Sequence, residues 1–192
     1  MFFLDNNTGF ITGRYLFIKT TDGGQSWTSL KTNAFDDFYE IIFKNNNEGY
    51  VSSQVGAYFK TIDGGVSWNK IKTKWNALFS FCIAENKVLV GTDVETLSDM
   101  DDLNLSYPKP NPSQKLLDFN AQKAIGISAR IDVDFASHGI LYLTNNAWNT
   151  YTTKTYTNHE VAWFSASAKM SSNKIMLLGV SSPVAKVFVL KR

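Results

Sequence analysis

Short apolar runs, broken by clusters of Asn, Asp, Gly and Ser, recur from one end of the chain to the other. The runs are rich in aromatic and β-branched residues and too short for helices, so they predict strands joined by tight turns. Residues 38–72 resolve into four strands, Phe38–Phe43, Gly49–Ser53, Ala57–Thr61 and Ser67–Lys72. An Asn-Asn-Asn-Glu-Gly turn joins the first two, and Asp63-Gly64-Gly65 joins the last two. Farther on the pattern is less regular. KVLVG at 87–91 reads as the second strand of a third unit, with SDMDDLNL standing where an Asp-Gly-Gly turn would be. LLDF, KAIGIS, GILYLTNN and TYTTKTY make a fourth unit, and VAWFSASA, NKIMLLGV and AKVFVLKR make a fifth, one strand short. Many of these strands are apolar at both alternating positions, as expected where both sheet faces are covered. SYPKPNPSQK, 106–115, reads as a polyproline-like connector. No segment carries a helical period.

Two stretches nearly repeat each other: KTTDGGQSWTSL at 19–30 and KTIDGGVSWNKI at 60–71. Asp22 and Asp63 are 41 positions apart, as are Trp27 and Trp68; upstream, FFLDNNTGF aligns with IFKNNNEGY at an offset of 40. A period near 40 with four strands per unit predicts propeller blades. The expected fold is all-β: a β-propeller of four-stranded antiparallel blades of about 40 residues, roughly five of them, the last incomplete. One domain is expected over 1–192, with blades near 2–32, 38–73, 78–106, 115–156 and 160–192. A small five-bladed ring is preferred over a piece of a larger ring or protomers that complete one another.

T-x-D-G-G-x-S-W at Thr20–Trp27 and Thr61–Trp68 resembles the Asp box, or bacterial neuraminidase repeat. That box occurs in sialidases, in sortilin-like receptor propellers and in propellers similar to photosystem II assembly factors. The spacing from F-x-x-x-x-x-G-(F/Y) to the box is most similar to the last group. The resemblance implies a sialidase-like fold, a box at the blade periphery away from the binding face, and protein partners. The residues themselves suggest a staple. Asp22 and Asp63 suit acceptance of N–H groups from their own turns. Gly23, Gly24, Gly64 and Gly65 supply positive φ. Trp27 and Trp68 can lie across the hairpin, with Thr20, Ser26, Thr61 and Ser67 completing the two boxes.

Composition mostly excludes. Nineteen Lys and Arg against 17 Asp and Glu leave a net charge of +2, and no basic run exceeds two residues, so nucleic acid is not an expected partner. Only Arg14, Arg130 and Arg192 are arginines. Arg192 is the last residue, so the carboxylate-binding arginine triad of a sialidase is not expected from these three, and no enzyme is expected. Cys82 is the sole cysteine, which removes disulfides and cysteine zinc sites and reads as a small buried hydrophobe. His138 and His159 lack ligand spacing, and DVETLSDMDD, 93–102, reads as a solvated acidic turn rather than a calcium loop. No metal or cofactor is expected. IMLLGV is too short to span a bilayer, so no membrane insertion is expected. MFFLDNN lacks the features of a signal peptide; either the protein is cytosolic, or a leader has been removed and it is extracytoplasmic.

If the Asp-Gly-Gly turns join third and fourth strands, the turns between second and third strands share the opposite face with the blade connectors. That face holds Arg14, Tyr15, Trp75, Arg130, Asp132, Asp134, His138 and His159, and 130–138 is an insertion relative to the second unit. The expectation is a non-catalytic binding or scaffold propeller that mediates protein–protein interaction or assembly. The alternative is a carbohydrate-binding or degenerate sialidase-like protein. It would stack sugars on Trp75, Trp148 or Trp163, or pair Asp132 or Asp134 with Asp36.

Overall fold

The computed structural model describes residues 1–30, 37–53, 56–84, 86–92, 96–103, 106–108, 115–118, 124–131, 137–145, 150–156, 163–171, 174–181 and 184–191. Among these residues there are strands and turns and no helix. The chain forms two compact units, Met1–Phe81 with Thr92–Val94, and Cys82–Gly91 with Glu95–Arg192.

The first unit opens with β1 (Phe2–Phe3), β2 (Gly9–Gly13), β3 (Leu16–Thr20) and β4 (Thr28–Ser29), paired antiparallel in chain order. β5 (Phe38–Phe43), β6 (Gly49–Ser53), β7 (Ala57–Thr61) and β8 (Asn69–Lys72) repeat that order in a second sheet. The predicted fourth strand began at Ser67. It starts at Asn69, because Ser67 is held by the box turn.

The repeated aromatic–glycine spacing has a packing cause. Phe3 lies opposite Gly9 and Phe43 opposite Gly49 across the first two strands of each sheet. A Cβ on either glycine would sit 2.7 Å from the partner ring, so the bare glycine is what lets the ring lie flat on the sheet. The sheets meet through Phe10, Phe17, Phe38, Phe43, Val51 and Phe59, with the Phe10 and Phe43 rings stacked at 5.2 Å. An irregularity in β5 between Phe38 and Ile41 turns Glu40 toward the next strand. There its Oε2 accepts from the Ser80 hydroxyl (2.5 Å) and the Phe81 amide (2.9 Å).

β9 (Leu78–Ala84), β10 (Lys87–Thr92), β11 (Thr96–Asp99) and β12 (Ser106–Pro108) form a third four-stranded sheet. The predicted connector at 106–115 therefore begins as an edge strand, where Pro108 lacks no needed donor. Cys82 is buried. In the second unit, β13 (Lys115–Asp118), β14 (Ala124–Ile131), β15 (Ser137–Thr144) and β16 (Thr152–Thr155) form the fourth sheet. β17 (Trp163–Ser171), β18 (Lys174–Ser181) and β19 (Val184–Lys191) form a sheet of three strands. Leu141 of the fourth sheet and Tyr156, just past its last strand, pack with Ile175 and Leu177 of the three-stranded one.

Box turns and candidate binding face

Each box turn is closed by its own side chains. In the first, Asp22 Oδ1 accepts from the Thr20 hydroxyl (2.6 Å) and the Ser26 amide (2.9 Å), and its Oδ2 accepts from the Ser26 hydroxyl (2.5 Å). Thr20 Oγ1 accepts in turn from the Gly24 amide at 2.9 Å. The second box repeats this. Asp63 accepts from the Thr61 hydroxyl (2.7 Å), the Val66 and Ser67 amides (each 3.0 Å) and the Ser67 hydroxyl (2.6 Å). Gly23, Gly24, Gly64 and Gly65 all have positive φ, a backbone state that a Cβ penalises. In both boxes the serine hydroxyl, then its amide and the threonine hydroxyl, hold the aspartate well below the usual carboxylate range.

The two tryptophans differ. Trp27 Nε1 donates to the Gly24 carbonyl at 3.1 Å, whereas Trp68 Nε1 is buried without a partner. Trp68 instead wedges edge-on against Phe17 (5.1 Å), Phe43 (5.9 Å) and Phe10 (6.0 Å). Lys19 reaches from the first sheet to the second box turn and donates to the Gly65 carbonyl at 3.1 Å. The box is thus a staple within a sheet and, in the second copy, a wedge between sheets.

Antiparallel connectivity sorts the turns of the first unit by face. The Gly23 amide donates to the Asn7 carbonyl (2.8 Å) and the Gly64 amide to the Asn47 carbonyl (2.9 Å). Each box turn is therefore tied to the first turn of its own sheet. On the other face the β2–β3 turn meets the connector into β5. Arg14 forms a bridge with Asp37, its Nε 3.9 Å from Oδ1. Tyr15 takes a positive φ of 54° in that turn, with the Arg14 guanidinium 5.3 Å from its ring centre. Arg14, Tyr15, Leu16 and Tyr39 are all exposed. Partial burial, then the Asp37 carboxylate, pushes the Tyr39 phenol up. The β8–β9 connector closes on the β6–β7 turn, where the Thr73 amide donates to the Gly56 carbonyl at 2.8 Å.

The predicted face residues fare differently. Arg14 and Tyr15 lie exposed on it. Trp75, expected as an exposed anchor, is buried at 6% exposure; its carbonyl packs so closely on Gly56 that a Cβ there would lie 2.3 Å away. Lys74, beside it, covers the Trp75 ring at 5.4 Å. In the second unit Arg130 and His138 are cross-strand partners of β14 and β15. The expected insertion at 130–138 is therefore ladder at both ends. Asp132, Asp134 and His159 lie outside the described residues, as do Asp36 and Trp148. Asp99, read as part of a solvated turn, is buried, accepts from the Asp101 amide at 2.9 Å and stands 4.0 Å from Lys87 Nζ. Asp93 and Glu95 of the same run lie outside the described residues.

One signal was missed. Thr20, Thr61, Asp99 and Thr144 each end the third strand of a four-stranded sheet, and each is buried. Each side chain serves the turn that follows: Asp99 takes an amide two residues on, as Thr20 and Thr61 do, and Thr144 donates to the Thr150 carbonyl at 2.7 Å. The repeat thus continues past the second box in reduced form.

The first two antiparallel sheets, each closed by the same T-x-D-G-G-x-S-W turn, are features this chain shares with Asp-box proteins of propeller type. Residues 1–77, which hold both boxes, match the family described as photosynthesis system II assembly factor YCF48. No curated protein matches the chain by sequence. Solved structures of similar fold include "YCF48 bound to D1 peptide", 14% identical with a TM-score of 0.56, over 98% of this chain and 77% of that one. YCF48 from Cyanidioschyzon merolae is 9% identical with a TM-score of 0.52, over 96% and 79%. The C-terminal WD40 domain of Sif2 is 4% identical with a TM-score of 0.56, over 98% and 70%. The likeness extends to the all-β propeller fold. No helix among the described residues is long and apolar enough to cross a membrane.

Proposed function

We propose that this chain is a non-catalytic, protein-binding propeller of about five blades that holds a peptide segment of its partner on the face opposite the boxes. The blades correspond to 2–32, 38–73, 78–106, 115–156 and 160–192. The observation that carries the reading is the match of residues 1–77 to an assembly-factor family, one of whose members shares this fold and is seen with a peptide bound. The exposed Arg14 guanidinium over the Tyr15 ring supports it, since Arg and Tyr are the residue types that anchor interfaces. Arg14 keeps donors turned to solvent that suit a carboxylate or a main-chain carbonyl. A scaffold role asks for no acid–base pair, and none is assigned.

The test is a tiled peptide array run beside a glycan array with the same labelled protein. Saturable binding to peptides that Arg14→Glu abolishes supports the reading. Binding confined to glycans, or peptide binding indifferent to Arg14→Glu, rejects it.

A further inference from the structure

The β2–β3 turn and the residue that precedes β5 meet as a built pair. Arg14 and Asp37 face each other in an antiparallel bridge, so main-chain pairing sets the distance between them. The short Asp37 side chain is 27% exposed and the Arg14 side chain 77%. Arg14 Nε lies 3.9 Å from Asp37 Oδ1, an ion pair without a hydrogen bond. Oδ1 is buried and has no hydrogen-bond partner among the described residues. A buried polar atom in that state asks for an explanation.

A carboxylate oxygen that no donor answers acts on its surroundings through its charge. Tyr39 registers it, because Asp37 adds to partial burial in pushing the phenol up. Tyr39 therefore adds no charge to this face and keeps a phenolic donor. The Arg14 guanidinium is engaged on two sides. Its Nε edge turns to Asp37, and its carbon lies 5.3 Å from the Tyr15 ring centre. The terminal Nη donors are left for a partner. A lone guanidinium would favour a carboxylate there, as a charge-assisted fork. With Asp37 on the same guanidinium the pair carries no net charge, and a second carboxylate would meet the field of the first at short range. A main-chain carbonyl accepts the same hydrogen bonds and brings no charge.

We infer that Asp37 sets the specificity of the Arg14 site: held against the Nε edge, it makes a charge-neutral pair whose free donors take main-chain carbonyls of an uncharged, extended segment of the partner in preference to acidic side chains. The inference rests on the peptide-holding role proposed above and names the chemistry of the peptide. Asp37 touches no ligand in this scheme. It acts through Arg14, by cancelling its charge and by limiting where the guanidinium can turn.

The test is the tiled peptide array read with wild type, Asp37→Asn, Asp37→Ser and Arg14→Glu, at low and high salt, with folding of each variant checked by circular dichroism. Asp37→Asn keeps the shape of the side chain, and Asp37→Ser stands in should the amide disturb the turn. Wild type should rank uncharged peptides first and respond little to salt. Either Asp37 variant should bind peptides rich in Asp and Glu at least about tenfold more tightly than wild type does, and lose that gain in high salt, because the Arg14 charge is then uncancelled. Acidic peptides at the head of the wild-type ranking overturn the inference. So does a ranking that stays the same in both Asp37 variants, whether affinity is unchanged or falls evenly across all peptides, since a purely structural role would do that. Both of these results leave the proposed function standing so long as Arg14→Glu abolishes binding. Binding indifferent to Arg14→Glu rejects the proposed function and this inference with it.

Discussion

Trp68→Ala is the perturbation that most directly weighs the wedge between the first two sheets. The indole touches three phenylalanines drawn from both sheets, at ring distances of 5.1 to 6.0 Å. Removing such a side chain costs about 3–4 kcal/mol through lost burial and the cavity left behind. For a chain of this size that lowers the midpoint of thermal unfolding by about 10 °C. Trp27→Ala removes the same residue type at the same box position, but Trp27 contacts Phe3 of its own sheet at 6.3 Å. Its loss should cost about half as much. Trp→Phe sharpens the contrast. At Trp68 it deletes a buried N–H that has no partner, a group whose burial costs about 1–3 kcal/mol, which offsets much of the lost ring area. At Trp27 it deletes a hydrogen bond to Gly24. Thermal and urea unfolding followed by circular dichroism measure all four variants without relying on tryptophan emission. A Trp68→Ala penalty no larger than that of Trp27→Ala would refute the wedge.

The depressed acidity of Asp63 makes a pH prediction. Its folded pKa lies below the unfolded value, so the stabilisation is complete above the ordinary aspartate pKa of about 4 and drains away as pH falls below it. Melting temperature should therefore fall between about pH 5 and pH 2 less steeply in Asp63→Asn than in wild type; parallel slopes would remove the assignment. Gly49→Ala should cost about 1–3 kcal/mol, because the new Cβ meets a Phe43 ring already jammed against Phe10 and Phe2. Gly9→Ala should cost less than about 1 kcal/mol, since Phe3 is half-exposed and can swing out; equal penalties in urea unfolding would contradict this packing difference.

The first two sheets were legible because every signal agreed. Phe43 and Gly49, the Asn-rich turn, Thr61, Asp63, the glycines and Trp68 each constrain one geometry and recur at one spacing. Three of the four strand ranges predicted for 38–72 match the structure to the residue. The third and fourth sheets were legible as strands but not as boxes. Asp99 and Thr144 carry out the work of Thr20 with different chemistry, and no Asp-Gly-Gly follows them. A motif written as letters cannot show that a buried polar residue at the end of the third strand is the constant. Trp75 was expected to be exposed, and is not, for a related reason. Its neighbours Lys74 and Asn76 mark a connector, but a tryptophan's exposure depends on what closes over it, and here the β6–β7 turn does. Asp99 shows the same: an acidic run reads as solvated until Lys87 from the paired strand stands beside one member.

The most direct test of the binding face is to titrate the strongest peptide from the array into three proteins and follow fluorescence anisotropy. These are wild type, Arg14→Glu and Asp63→Asn. The account predicts that Arg14→Glu weakens binding by about 30-fold or more, the effect of losing an anchor worth roughly 2 kcal/mol. Asp63→Asn, on the opposite face, should stay within about threefold of wild type while melting lower. Loss of binding in Asp63→Asn with full binding in Arg14→Glu would put the functional face on the side of the boxes and contradict the account.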